Sequence, residues 1–538
     1  MTHDTYVTLE GVSYQLPDGR LLFSDLSLHL DQRHTGLVGR NGVGKNRLAR
    51  LIAGDISPTT GRCLRAGKVY YLSQHISYGP EQTVAGLTGV QPIIQALERI
   101  EQGSVAQADF DGVGEHWNIR QQLLDQLTQH NLTHLTPSTL ISTLSGGEAM
   151  RVALMGAFMS QAQLLILDEP TNHLDREHRL ALQEQLSRWS HGLLLISHDR
   201  ELLESMECIL ELSSQGIICY GGGYSFYAQA KAQQQHAAEQ QLAQAKLERK
   251  REEQRLREQV ERLERRQSRG QKSASISNQA KILLGRQKDQ SQNSFGKVRQ
   301  HQHALRETLS AQVKQAASQV EEQKAIFIYA PEAPTHSATL VAQLIDARLP
   351  YGFESLRTLS ITLSRGQRVA LIGPNGCGKS TLLKVLAGQL SVMAGQIALK
   401  VETAYLDQHL ALLELDRSVL EQLRDLNRQL DESECRIRLA QLGLGAAHVN
   451  QPCAQLSGGE RLKAAMACVF YAQDPAQLLL LDEPANHLDL TSLLALQTML
   501  QQYTGTLIVT SHDEMFLDAI GITHRLCASA DGWLNTPV

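Results

Sequence analysis

A set of short motifs occurs twice in this chain, in the same order and at nearly the same spacing. That duplication limits the fold more than any other feature. A glycine-rich loop, GRNGVGKN, spans Gly39 to Asn46 after the apolar run Thr35-Gly-Leu-Val, and GPNGCGKS spans Gly373 to Ser380. In both halves 35 residues separate the first glycine from a glutamine that closes a strand-like run, Gly39 from Gln74 and Gly373 from Gln408. LSGGE follows at Leu144 to Glu148 and at Leu456 to Glu460. An apolar strand then ends in Asp168-Glu169 or Asp482-Glu483, and a further apolar strand leads to His198 or His512. From Ser145 to His198 is 53 residues, and from Ser457 to His512 is 55. Repetition at this scale implies two copies of one domain. The 538 residues also exceed the roughly 250–300 that one core organises.

Residue type in each motif points to phosphate chemistry. In Gly-x-x-x-x-Gly-Lys, backbone N–H groups and a helix N-terminus surround phosphates while the lysine reaches the outer ones. One such site uses Gly39, Asn41, Gly42, Gly44 and Lys45, and the other Gly373, Asn375, Gly376, Gly378 and Lys379. Ser380 and Thr381 follow Lys379, whereas Asn46 and Arg47 stand at those positions in the first half. Magnesium demands near-ideal octahedral oxygen geometry, and an amide is bulkier and differently placed than a hydroxyl. Metal binding is therefore expected to be weaker in the first half. A strand ending in two acids can hold hydrated magnesium with the first, Asp168 or Asp482, and polarise water with the second, Glu169 or Glu483. Gln74 and Gln408 end strands where a side chain can sense both the metal and the attacking water. Cys377 lies inside the second loop, which suggests sensitivity of that site to thiol reagents.

The halves are joined by residues 228–332, rich in Gln, Ala, Arg, Lys and Glu and without proline before Pro331. Strong helix formers fill Gln233 to Ser268, with an apolar stripe at Leu256, Val260 and Leu263. On the return, Leu305, Leu309, Val313, Ala316 and Val320 recur at spacings of three and four, one helical face. An antiparallel helical hairpin is expected, with a tip from Arg269 to Arg299 broken by Gly270, Gly285 and Gly296. Around that tip Arg265, Arg266, Arg269, Lys272, Lys281, Arg286, Lys288, Lys297 and Arg299 face a single acid, Asp289. Such a projection suits a nucleic-acid backbone, because each neutralised phosphate releases counterions. The plain alternative is a solvated linker whose charges keep it soluble. With a net charge of −5 overall, nucleic-acid binding is expected to be local to this tip. Eight scattered cysteines form no Cys-x-x-Cys pair, which argues against a zinc site or disulfide framework. No apolar run reaches the ~18 residues that cross a bilayer, so a cytoplasmic chain without membrane insertion is expected.

Taken in this order twice, the motifs resemble those of the ATP-binding cassette superfamily. EPTNHLD in the first half, the tandem fusion and the charged helical linker more narrowly resemble the ABC-F proteins. The resemblance implies an α/β fold of two P-loop cassette domains, each with a helical subdomain, joined by a long α-helical hairpin. The corresponding domains are residues 1–227, 228–332 and 333–538. It implies ATP hydrolysis with ATP and Mg2+ as cofactors, Ser380, Gln74, Gln408, Asp168 and Asp482 being the metal ligands. Glu169 and Glu483 become the catalytic carboxylates, and His198 and His512 the switch histidines. The cassettes of such proteins close head to tail within one chain, so a monomer is expected. Ser145, Gly146 and Gly147 then face the ATP on Lys379, and Ser457, Gly458 and Gly459 the ATP on Lys45. Tyr14 is the candidate to stack on adenine, with Tyr351 a weaker counterpart. The linker of that family reaches from the 50S E site of the ribosome toward P-site tRNA, 23S rRNA and the peptidyl-transferase centre. A translation factor and a ribosome-protection resistance protein both fit. Two other classes use the same motifs, an energiser of separate membrane subunits and a DNA-maintenance ATPase, and the first leaves the basic hairpin idle. Because of Asn46 and Arg47, with Ala485 in place of the Thr of EPTN, the Lys45 site is expected to turn over slowly and the Lys379 site to carry most hydrolysis.

Overall fold

The computed structural model describes residues 5–74, 76, 79–172, 174–213, 215–276, 305–317, 340–486, 488–529 and 532–538, without the side chains of 260, 263–264 and 266–276. The chain divides into two compact units, Met1–Ser225 with Lys324–Val538, and Phe226–Gln323. Among the described residues no helix is long and apolar enough to cross a membrane.

The first half supplies strands β1 (Val7–Gln15), β2 (Leu21–Leu30), β3 (His34–Val38), β4 (Thr60–Arg65), β5 (Val69–Leu72), β6 (Leu164–Asp168), β7 (Gly192–Ile196), β8 (Cys208–Ser213) and β9 (Gly216–Gly221). The second supplies β10 (Leu340–Arg348), β11 (Thr358–Ser364), β12 (Arg368–Ile372), β13 (Ala394–Leu399), β14 (Thr403–Leu406), β15 (Leu478–Asp482), β16 (Thr506–Thr510), β17 (His524–Ser529) and β18 (Gly532–Pro537). Each half builds a six-stranded sheet of the same order, β5-β6-β7-β3-β8-β9 and β14-β15-β16-β12-β17-β18. All neighbours are parallel except the last pair. Every residue of β6, β7, β15 and β16 is buried, which explains the uninterrupted Leu and Ile runs of these strands. A smaller antiparallel sheet, β2-β1-β4 or β11-β10-β13, completes each half.

The strand termini carry the chemistry, because in open parallel sheets ligands gather beyond the carboxyl ends. The loop after β3 or β12 leads into a helix starting at Lys45 or Lys379, and β6 and β15 end on the two aspartates. Helices between β5 and β6 form a separate apolar cluster that includes Leu123, Leu127 and Ile141. Ser145 follows Gln74 by 71 residues whereas Ser457 follows Gln408 by 49, and the longer stretch of the first half accommodates the helix Gln107–Val113, held by Arg99 and Ser104 on Asp109.

In the linker one helix runs from Tyr224 to Ile276, longer at both ends than its apolar stripe. It passes Gly270, where an interruption was expected. A single glycine costs only about 1 kcal/mol against alanine, less than its neighbours and i,i+4 pairs such as Arg249–Glu253 sustain. Residues 305–317 are also helical, and Leu256 and Leu309 are buried, one from each stripe. Val260, Leu263 and Val320 lie outside the described side chains.

Candidate active site

The two glycine loops have the same backbone. Gly44 and Gly378 adopt φ of 109° and 110° at the helix entrance, a left-handed conformation open to glycine. Lys45 and Lys379 are buried and fold back onto their own loops, Nζ donating to Gly39 O at 2.6 Å and to Gly373 O at 2.7 Å. This holds each ammonium within its own glycine loop. Cys377 is 1% exposed and packs beneath the loop instead of opening onto the site.

Beyond the strand ends, Glu169 and Glu483 take φ of +50° and +48°. A non-glycine residue in that region is strained, and the same strain at both positions marks a turn that aims the carboxylate. His198 Nε2 lies 3.4 Å from Glu169 Oε1, and His512 Nε2 lies 3.2 Å from Glu483 Oε1. Burial pushes both carboxyls up, Glu483 to about 7. For Glu483 the charges of Arg179 and then Lys379 oppose the shift, and for Glu169 the charge of Lys45 does. Burial holds the His198 and His512 rings down at about 3, aided by the lysine of each loop. Neutral imidazoles are thus the resident form, and Lys45 Nζ donates to His198 Nε2 at 3.3 Å.

Two tyrosines escaped the motif reading. Tyr71 OH donates to Asp168 Oδ2 at 3.0 Å and Tyr405 OH to Asp482 Oδ2 at 3.1 Å. Each stands three residues before its glutamine, an offset repeated in the sequence that gave a usable signal. Thr510 Oγ1 also donates to Asp482 Oδ1 at 2.9 Å; the matching residue in the first half, Ile196, has no hydroxyl.

The halves meet across these loops. Ser145, Gly146 and Gly147 share a cavity of 820 Å³ with Asn375, Gly376, Gly378, Lys379, Ser380, Thr381, Gln408, Asp482, Glu483 and His512. Ser145 caps the helix that points into this cavity, and the last residue of LSGGE completes the cap: Ser145 N donates to Glu148 Oε2 at 2.8 Å. Ser457, Gly458, Gly459 and Glu460 repeat that cap in the second half. The aspartates ending each NHLD motif reach across. Asn41 N donates to Asp489 Oδ2 at 2.8 Å, and the Asn375 backbone N–H donates to Asp175. Tyr351 lines the cavity. Tyr14 stands 6.1 Å from the Phe23 ring, whose edge closes on Gly44.

Magnesium fits the second half on chemical grounds, since Ser380, Gln408 and Asp482 present an all-oxygen set in one cavity. The first half differs. Asn46 Nδ2 donates to Gln74 Oε1 at 3.3 Å, so an amide–amide bond joins two of the residues expected around the metal, and Arg47 is exposed. Of the basic tip residues, Arg265 is described and lies 3.6 Å from Glu261. Arg266, Arg269, Lys272, Lys281, Arg286, Lys288, Lys297 and Arg299 lie outside the described residues or side chains.

The profile of the ABC transporter family matches residues 23–172 and 356–486, one stretch in each half. The chain is 28% identical over 526 residues to the ribosome protection protein VmlR of Bacillus subtilis (strain 168), covering 95% of this chain and 85% of that one. It is 29% identical over 555 residues to the energy-dependent translational throttle protein EttA of Escherichia coli (strain K12), covering 98% and 92%. Among solved structures, the archaeal ribosome recycling factor aABCE1, in complex with ribosomal stalk protein aP1, is similar in fold. The TM-score is 0.55 at 17% identity, over 98% of this chain and 90% of that one.

Proposed function

The chain belongs to the ATP-binding cassette family, in its tandem ABC-F branch, and hydrolyses ATP; from that premise we propose that it acts on the ribosome, closing its cassettes around ATP to set the linker beside P-site tRNA and the peptidyl-transferase centre. The observation that carries this reading is the cavity built from both halves, with Ser145–Gly147 on one side and Lys379–Thr381 on the other. A ligand that touches both sides binds the closed form better than the open one, and that difference in affinity is what shifts the population.

At the Lys379 site the lysine and the loop amides hold phosphate oxygens, and Ser145 with the helix it caps faces them from the other half. Glu483, turned by its left-handed backbone and held beside His512, polarises the attacking water. Magnesium bound by Asp482, Ser380 and Gln408 would neutralise phosphate charge. Once the outer phosphate is cleaved, the link between the halves weakens and the open form is favoured. The Lys45 site keeps the same carboxylate and histidine but carries the Asn46–Gln74 bond, and its role is mainly to hold ATP. Relatives named for ribosome protection and for translational control both support a ribosomal partner. A basic linker tip supports contact with RNA phosphates.

The test is co-sedimentation of the Glu169→Gln, Glu483→Gln double variant with 70S ribosomes, in ATP and in ADP. Pelleting with ATP that disappears on deleting residues 265–299 is expected. No pelleting with either nucleotide sinks the ribosomal reading and turns attention to membrane subunits or DNA. A drug-susceptibility change on deleting the gene would favour ribosome protection over general translational control.

A further inference from the structure

The helix after NHLD is Arg176–Arg188 in the first half and Leu490–Gln502 in the second. Each starts at an aspartate whose carboxylate accepts from the opposite glycine loop, so the first turn faces the other half's site. The chemistry of that turn is not repeated. Arg179 stands eleven residues after Asp168, and Leu493 stands eleven after Asp482. Arg179 and Glu483 together line both the 820 Å³ cavity of Lys379 and a small interface cavity beside it. Arg179 Nε donates to Leu174 O at 3.2 Å, and Nη1 lies 3.4 Å from Asp199 Oδ2, with 17% of the side chain exposed. Leu493, buried in the interface cavity with Glu169 and His198, brings no charge to the other carboxylate.

We propose that Arg179 is a positioning residue acting in trans at the Lys379 site: closure delivers its guanidinium to hold Glu483 toward the attacking water and to offset the negative charge gathered there. The proposal rests on the reading of Glu483 as the water-polarising carboxylate. Asp482, Glu483 and a triphosphate concentrate like charge in a buried place, where a preorganised cation is worth far more than in water. A guanidinium suits this because its fork is planar and permanently charged. Arginines supplied across an interface serve other phosphoryl transfers in the same way. In the step itself the water oxygen bonds to the γ-phosphorus and the bridging P–O bond breaks. ADP keeps the electron pair, and the water proton passes by way of Glu483 to the released phosphate. Since Arg179 belongs to the first half, hydrolysis at Lys379 is tied to closure. The inequality of the sites thereby has a source separate from Asn46.

The test compares Arg179→Leu, Arg179→Lys, Leu493→Arg and Glu483→Gln in the full chain. It reads kcat, KM, equilibrium binding of a non-hydrolysable ATP analogue and thermal stability. Arg179→Leu is expected to lower kcat about 10²-fold, with KM and analogue binding within about twofold of wild type. Arg179→Lys should recover part of the loss, and Leu493→Arg should raise turnover when Lys379 is replaced by Ala. Wild-type kcat in Arg179→Leu overturns the proposal. So does equal loss of turnover, analogue binding and stability in the Leu and Lys variants, which would mean that Arg179 only braces Asp199. If Glu483→Gln keeps wild-type turnover, the reading of Glu483 has failed. If Glu483→Gln is inactive while Arg179→Leu is normal, the trans role alone has failed.

Discussion

The side-chain amide of Asn46 donates to Oε1 of Gln74 at 3.3 Å, joining the residue that stands where a metal-binding hydroxyl is expected to the residue expected to sense the metal. The second half has Ser380 and Gln408 in their places. Replacing Asn46 by Ser frees Gln74 and restores the small hard donor that magnesium prefers. In a Lys379→Ala background, Asn46→Ser should raise residual ATPase several-fold and lower the magnesium concentration for half-maximal rate. On the same reasoning Lys379→Ala should cost more turnover than Lys45→Ala. Equal losses from the two lysine changes, measured side by side, would sink the asymmetry.

Asp489 bonds in two directions, Oδ2 accepting from Asn41 N at 2.8 Å across the interface and Oδ1 accepting from Ser492 N at 2.8 Å on its own helix. Both are hydrogen bonds to an ionised group, worth about 1.5–3 kcal/mol each when partly buried. Asp489→Ala should therefore raise the ATP concentration for half-maximal closure roughly tenfold or more, read by a fluorophore pair on the two halves. Asp489→Asn keeps the acceptor oxygen and should fall between. An unchanged midpoint in the alanine variant would remove this contact from the closing interaction.

The tandem sheets, glycine loops, acid pairs and histidines were legible because each works through residues close in sequence. A loop that surrounds phosphate needs its glycines and lysine at fixed offsets, and a buried parallel strand needs an unbroken apolar run. Arg179 was not legible, since its function depends on the phase of a helix relative to a different half of the chain. The left-handed backbone at Glu169 and Glu483 left no trace in residue type either, glutamate being an ordinary choice only when φ is negative. Continuation of the linker helix through Gly270 shows the limit of a local breaker signal, as the strong helix formers before it outweigh one glycine.

Cys377 was singled out by its place in the loop, but its burial leads to the opposite expectation. A Cβ on Gly373 would fall 2.9 Å from Cys377 Sγ and 2.6 Å from Ala528 Cβ, so the thiol lies in a packed seam under the loop. Burial pushes this thiol above its usual range, against the opposing charge of Lys379. The reactive thiolate is scarce at neutral pH and grows only as pH rises through that elevated value. Iodoacetamide at pH 7.5, a reagent condition of about neutral pH, should label exposed Cys219 while ATPase activity persists. Peptide mapping that finds Cys377 labelled in step with Cys219 would contradict the burial.

The strain at Glu483 separates stability from activity. Its φ of +48° belongs to a region that costs a non-glycine residue of order 1–3 kcal/mol and that glycine enters freely. Its carboxylate is also buried beside Asp482, a further cost that a neutral side chain avoids. Glu483→Gln removes the second cost alone, whereas Glu483→Gly removes both and leaves a small cavity. Glycine should therefore unfold at a higher temperature than glutamine at this position, by about 1 °C for ~1 kcal/mol in a unit of this size, although both variants lose turnover at the Lys379 site. Thermal unfolding of the three proteins without nucleotide measures the difference directly. A glycine variant less stable than the glutamine variant would mean that side-chain packing, and not relief of the backbone, dominates at this turn.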